Sequence, residues 1–476
     1  MPHQDDVNLR KNLTTIKAVL DQLVTEDVAE FQRHGNAKLS PTWLAMVAIV
    51  SLGWISDGPL DQRVSAACAV VNSLGATVVT VTRQGLLKAL ATCGQALVER
   101  IVDHLMVTLA ALKGQWTRDG KVNLAVDGTK YGAPRTAANQ AAFSAAGSAT
   151  PRSNAKKQRR QGKKNRRRGL KGRPAATRKV KAYKSVAAAK KAASVQVLLT
   201  AIWHLTTGLP LRWLITGVTG SERKSTEAMI DAFPKNARLI GDAEYVGYPL
   251  WSAVMNSGRS FLFRVGSNIT LLKNLCHVKK INGDLVYCWP ETAMQAGQPP
   301  LTLRLIQLHT GRKAIYLVTN ELDMPAEKAA DLYKQRWGVE VFFRTVKQTC
   351  QRSKLRCGTP ENVRSELNWT LLGIWAALYL GKQTLHEEGL QLHRLSPVKV
   401  LRALTATLQH IVRSQHRIAL LTEVLGEALL TDESHRPTRS KKSRDYPRKK
   451  KHKRCGAPII KLATKQQQQK ALKMGF

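Results

Sequence analysis

The sequence predicts a mixed α/β core set between helical ends, and three observations carry that prediction. Residues 1 to 112 repeat apolar residues at helical spacing in four successive segments. From Lys121 the texture changes to short apolar runs rich in β-branched residues, bounded by turn residues and separated by helical segments. From Pro325 helical periodicity returns and holds to about residue 425.

In the helical N-terminal domain (1–112), Ser40-Pro41 and Thr82 are natural helix starts, Thr82 as an N-cap. The helix opening at Thr82 places Arg83, Gln84 and Lys88 in its first turns. That arrangement suits a helix that reads DNA, and equally an ordinary exposed helix start. The core begins at 118 and runs to 266. "KVNLAVDGTKYG" is a β-rich run closing on Asp127-Gly128, and "ASVQVLLTAIWHLTTGLPLRWLIT" reads as two strands joined at Thr207-Gly208. "SERKSTEAMIDAF" reads as a helix capped by Ser221, with Glu222 in its first turn. A strand ending at Asp242, a short helix closed by Gly258 and the strand "SFLFRVG" complete a mixed sheet. Residues 267–324 alternate in short strands, a β-rich insertion. Residues 325–425 hold a helix from Pro325 to about Gln351 and the closing helices.

Charge narrows the function. The chain has 476 residues, with 75 Lys and Arg against 33 Asp and Glu, a formal charge of +42 and a pI near 10.4. That balance suits a polyanionic partner, most simply nucleic acid. Residues 151–192 contain no acid and include the run Arg166, Arg167 and Arg168. Residues 435–476 form a basic, Gln-tipped tail. Both are expected to be disordered, self-repelling arms that meet phosphates without reading sequence. Neither apolar run, 42–55 or 367–381, is expected to span a bilayer, and no basic amphipathic helix suggests a membrane surface. Seven scattered cysteines without a C-x-x-C pair fit reduced thiols inside a cell rather than a disulfide framework or a zinc knuckle. The polar N-terminus is no signal peptide.

The stretch "YKQRWGVEVFFRTVKQT" (333–349) carries the chemistry. On a wheel of about 100° per residue, Tyr333, Arg336, Glu340 and Lys347 fall within an arc of about 60°. Leu332, Val339, Phe342, Phe343 and Val346 gather on the adjacent flank, so one side packs inward and the polar edge lies beside it. Alone, this edge also fits a solvated face with an Arg336–Glu340 pair. Asp127 and Asp242 each follow an apolar strand, where α/β folds place their chemistry, although Asp-Gly and Asp-Ala also open turns. Three converging carboxylates must be protonated or hold cations, and hard oxygen ligands select Mg²⁺ or Mn²⁺. Two such ions clamp the attacking and leaving oxygens of an in-line phosphoryl displacement. Arg336 and Lys347 suit phosphate, and Tyr333 suits a base or a phosphate.

The spacing Tyr333-x2-Arg336-x3-Glu340-x6-Lys347 resembles the YREK signature of DDE transposases of the insertion-sequence-four family. "DGTKYG" at Asp127 and "GDAEYVGYPLW" at Asp242 resemble that family's first and second aspartate motifs, and the order of elements from about 30 to 425 is similar too. The resemblance implies a ribonuclease-H-like catalytic core and an enzyme that cuts element ends and joins the freed 3′ hydroxyl to target DNA. It implies Asp127, Asp242 and Glu340 as catalytic and metal-binding residues with two Mg²⁺ or Mn²⁺ ions per active site. Tyr333, Arg336 and Lys347 would contact the terminal inverted repeat, with Arg83, Lys88, Arg166, Arg167 and Arg168 as further DNA contacts. It also implies a homodimer in a synaptic complex with double-stranded DNA, and a cytoplasmic, prokaryotic setting. Two features depart from the pattern: Glu244 stands where the second motif usually has a glycine, and the basic insert is unusual. The base-holding Trp of related members has no clear equivalent, and Trp289 reads better as a half-buried β aromatic. Three alternatives compete: a metal nuclease without strand transfer, a non-catalytic DNA-binding protein derived from a transposase, and an architectural basic protein.

Overall fold

The computed structural model of the chain describes residues 4–25, 30, 39–55, 57–75, 80–112, 114–144, 195–276, 284–310, 313–413, 418–428 and 456–476. The insert 151–192, with Arg166, Arg167 and Arg168, lies outside the described residues, as do 429–455 of the tail.

Apolar patterning produces the expected helices before the sheet: Gln4–Leu23, Pro41–Ala48 continued by a π-helical turn Ile49–Trp54, Leu60–Ser73, and Arg83–Ala110. Ser40 and Thr82 both cap, accepting from the backbone N–H of Trp43 and Gly85. The apolar run 367–381 is the middle of Pro360–Glu387, capped by Thr359 and buried on nearly every side. None of the described helices is long and apolar enough to cross a membrane.

That long helix gathers both ends of the chain. Trp54 Nε1 donates to Gly373 O at 2.7 Å, and Asn12 bonds the backbone of Ala419 and Leu421. Gly53 and Gly373 meet backbone to backbone: a Cβ on Gly373 would lie 2.5 Å from Gly53 Cα and 2.9 Å from Ile49 O. Neither side can yield, so Gly373→Ala is expected to destabilise the fold by about 1–3 kcal/mol or more, read as a lowered urea midpoint at unchanged slope.

Ten strands form one sheet: β1 Val122–Gly132, β2 Gln196–His204, β3 Leu209–Gly217, β4 Ala237–Gly241, β5 Ser260–Val265, β6 Thr270–Lys273, β7 Asp284–Cys288, β8 Leu301–Thr310, β9 Lys313–Thr319 and β10 Ile459–Leu462. Their order is β10-β6-β7-β8-β9-β5-β4-β1-β2-β3. β1, β4 and β5 are parallel neighbours, and β2 and β3 form an antiparallel hairpin on the β1 side. The fold is therefore mixed α/β, and the strands expected in the 267–324 insertion extend the same sheet through β9 on β5.

Three expectations need correction. β1 does not end at Asp127-Gly128. It runs on to Gly132 because β2 continues to pair with it there, while its pairing with β4 stops at Ala125. The helix from Pro325 is not continuous. It runs Ala326–Gln335, then Trp337–Arg344, then a π-helical turn Thr345–Thr349, with an i→i+3 bond from Val339 N to Arg336 O tightening the joint. Finally, residues 456–476 are not a disordered tail. β10 adds in parallel register to the otherwise open β6 edge, and Thr464 and Gln467 form a capping box opening the helix Lys465–Lys473. Ala471 is fully buried, and Lys470 Nζ bonds Met294 O at 2.7 Å.

Candidate active site

Register places the two aspartates. In β1 and β4, Val122 pairs with Ala237 and Ala125 with Ile240. Carried two residues further, the same parallel register sets Asp127 beside Asp242, just past the end of the β1–β4 ladder. Asp127 is still in a strand there, whereas Asp242 caps the 3₁₀ turn Ala243–Tyr245 and accepts from Glu244 N at 2.9 Å. Glu244 itself is exposed.

The helical joint brings the other residues over this strand. Arg336 is 5% exposed, its Nη2 donating to Glu340 Oε1 at 2.7 Å and its Nη1 3.6 Å from Asp127 Oδ2. Tyr333, also buried, lies with its ring centroid 5.5 Å from the same guanidinium. Lys347 Nζ bonds Thr129 Oγ1 and sits 5.0 Å over the Tyr131 ring. Thus the Arg336–Glu340 pair exists, but on a side turned to β1 rather than on a solvated face. The apolar flank is buried as expected, with Phe342 packing on Trp203 at 5.0 Å between ring centroids. Arg336 Nε and Nη1 have no hydrogen-bond acceptor.

The electrostatics follow first from burial. Burial pushes the Asp127 carboxyl up to about 7, against the Gly128 N–H bond and Arg336, with Asp242 and Glu222 adding to the rise. Burial works against the charge of Arg336, and Tyr333, Glu340 and Asp127 outweigh it. Burial lowers Lys347, and Asp127 opposes that effect. Because the folded Asp127 holds its proton above the ordinary value of 3.8, the native state binds more protons than the unfolded chain between about pH 4 and 7. Its contribution to stability therefore falls as pH rises through that window. Asp127→Asn is expected to remove this part of the pH slope in denaturant titrations without divalent ions.

Glu222 is the residue that sequence reasoning missed at this site. In the sequence it has a local explanation as a first-turn acid, yet its Oε2 accepts from Tyr245 Oη at 3.1 Å and its carboxyl packs on Gly128. A glycine inside a strand is the signal that marked such a close approach. Among the described residues, no three acidic, histidine or cysteine side chains are drawn near enough to enclose one metal ion. Arg336 is paired to both Asp127 and Glu340.

The remaining predicted residues stand elsewhere. Arg83 and Lys88 are exposed on the Arg83–Ala110 helix, Arg83 lying 3.6 Å from Asp61. Trp289 is buried, its Nε1 donating to Gln298 O at 2.8 Å. The six described cysteines are unpaired.

A family model described as a transposase DDE domain matches residues 119–375. The chain belongs to this DDE-domain transposase family. The matched segment contains Asp127, Asp242 and the whole Tyr333–Lys347 pattern. Among curated relatives of this DDE-domain chain, transposase InsG of insertion sequence element IS4 from Escherichia coli K12 is 39% identical over 77 residues, 15% of this chain and 17% of that protein. The putative transposase y4zB of Sinorhizobium fredii is 31% identical over 124 residues, 25% of this chain and 35% of its own length. The matches thus span between about a sixth and a third of these relatives. A solved piggyBac transposase synaptic complex with hairpin DNA aligns over 88% of this chain and 86% of that one, at 11% identity and a TM-score of 0.38.

Proposed function

We propose that this protein is a transposase that cuts DNA at the ends of a mobile element and joins the freed 3′ hydroxyl to target DNA. The observation that carries the reading is the register that sets Asp127 beside Asp242, with Glu340 held across Arg336 from Asp127. The strand order β3-β2-β1-β4-β5, a hairpin feeding three parallel strands, supports a ribonuclease-H-like core.

Asp127, Asp242 and Glu340 offer hard carboxylate oxygens, the donor type a divalent cation takes, with Arg336 now paired to two of them and Asp127 kept from easy ionisation first by its burial. Asp127, Asp242 and Glu340 would hold Mg²⁺ or Mn²⁺, two ions per site, once Arg336 releases its hold on Asp127 and Glu340. Bound there, the ions would activate the attacking oxygen and stabilise the leaving one. Arg336, freed from the carboxylates, presents unfilled donors to a phosphate beside Asp127. Tyr333 keeps the guanidinium plane in place, and Lys347, anchored on Thr129, faces the same strand. The +42 charge suits double-stranded DNA, both terminal inverted repeats and target. Exposed Arg83 and Lys88, and Arg166, Arg167 and Arg168 of the insert, would add phosphate contacts. A homodimer bridging two ends, in the cytoplasm of a prokaryote, completes the proposal.

The test is a linear DNA bearing the element's terminal inverted repeats, incubated with Mg²⁺ and either the protein or Glu340→Gln. Cleavage at the repeat boundary, lost in the variant, is the expected result. Salt-sensitive binding with no cleavage by the unaltered protein would instead identify a DNA-binding relic.

A further inference from the structure

We propose that the segment Ser353–Gly358 is a docking surface for the phosphate backbone of double-stranded DNA, contacted by Lys354 and Arg356. The inference deepens the proposed function: it rests on the binding of DNA and not on its cleavage.

Three observations carry it. First, the segment is fixed in place. Gly132, the last residue of β1, donates its N–H to Ser353 O and accepts from Leu355 N at 2.7 Å, a parallel bridge at the end of the strand. Glu366 accepts from the N–H groups of Arg356 and Cys357, while Asn139 and Thr136 donate to Cys357 O and Gly358 O. Second, from Lys354 the segment alternates as an extended strand does. Lys354 and Arg356 are exposed, and Leu355 and Cys357 are buried. Two residues apart on one face, the cations stand about 7 Å from each other. Neither makes an ion pair among the described residues. Third, the positive charge behind them is not neutralised. Arg63 and Arg352 are 2% and 1% exposed. They donate to Ile55 O and Leu52 O, and they leave Arg63 Nε and Arg352 Nη1 without an acceptor. Burial pushes Arg63 down to about 10, and the charges of Arg352 and Arg356 push the same way, against Glu366 and Cys357. Two buried guanidiniums and an exposed one thus share the carboxylate of Glu366, whose Oε2 already serves two backbone N–H groups. Such a group is completed by an anion.

The layout suits a long polyanion. The bridge to Gly132 is parallel, so the segment continues in the direction of β1, away from Asp127. Lys347 sits on Thr129, three residues before Gly132, or about 10 Å along the strand. Lys347, Lys354 and Arg356 therefore follow one another along β1 and past its end, where a duplex backbone can meet each in turn. The charge of Arg83 is felt by the Cys357 thiol, so the start of the Arg83–Ala110 helix borders the same surface.

The experiment is binding of the full chain to a linear duplex without Mg²⁺, followed by fluorescence anisotropy at several salt concentrations. Lys354→Ala/Arg356→Ala is expected to weaken binding about tenfold or more, whatever the duplex sequence. The slope of log K against log salt should become shallower by about two. Arg10→Ala/Lys11→Ala takes the same charge from exposed positions on the first helix and is expected to keep the parent slope. A parent-like slope in Lys354→Ala/Arg356→Ala overturns the proposal. So does an equal fall in both double variants, which would make net charge the cause. Cleavage is read separately: a parent that binds but does not cut overturns the strand-transfer enzyme and leaves this surface standing. A parent without salt-dependent binding overturns both.

Discussion

Asp127→Asn is expected to reduce DNA end cleavage by about 10³-fold while leaving DNA binding intact and the fold no less stable. The amide keeps the shape of the carboxylate and can still accept from Gly128 N, which now bonds Asp127 Oδ1 at 2.8 Å. What disappears is a buried negative charge, costly to ionise first because of its burial and then because of the charges of Asp242 and Glu222. Removing it relieves that repulsion above about pH 7 and leaves Arg336 to Glu340 alone. Activity and stability should therefore move in opposite directions, which ordinary misfolding would not produce. Single-turnover cleavage and thermal unfolding on the same preparation check both halves. A variant that loses activity and stability together would make Asp127 a structural residue.

Glu321→Ala should have the largest effect on stability, about 3–5 kcal/mol. Arg238 on β4 is 2% exposed and bonds Glu321 through Nε at 2.9 Å and Nη2 at 2.5 Å, while Nη1 reaches Asn123 on β1 at 2.8 Å. Truncating Glu321 leaves a buried guanidinium with a single neutral acceptor. Burial acts against the Glu321 charge, and the bonds from Arg238 outweigh it, so its carboxyl sits below the ordinary value. A depressed carboxyl contributes stability above its unfolded value and loses it as pH falls through the folded one. The Glu321→Ala penalty should thus shrink in acid, as urea titrations at two pH values would show. Asn123 and Arg238 pair in the same register that sets Asp127 beside Asp242 four residues on, so the clamp should also hold the site's alignment.

Much of this was legible in the sequence, for physical reasons that differ by residue. Asp127 and Asp242 stood out because a carboxylate after a run of core residues is costly without a purpose. The Tyr333–Lys347 spacing was readable because the apolar flank fixes which side turns inward, and that side is buried here. The joint at Arg336 was not readable: its cause is a turn of 3₁₀ bonding, and a wheel assumes an even helix. Glu222 was hidden because an acid in a first helical turn has a local explanation, and the contact with Gly128 joins residues far apart in the chain. The strand at Ile459–Leu462 was hidden by its basic, Gln-rich neighbours. It is a short strand with all four residues exposed, and only the open edge of β6 defines it.

The insert between β1 and β2 leaves the core after the helix Ala137–Phe143 and returns at Val195. Both exits are pinned: Phe143 O accepts from Val218 N, and Val195 O from Ala133 N, each at 2.9 Å. The register of Asp127 on Asp242 is set by strand pairing, which takes no account of what is spliced between those pins. The densest positive charge in the chain can therefore lengthen, shorten or change composition across generations without shifting Asp127 against Asp242. On the proposed function, selection could then tune the grip on DNA separately from its cleavage.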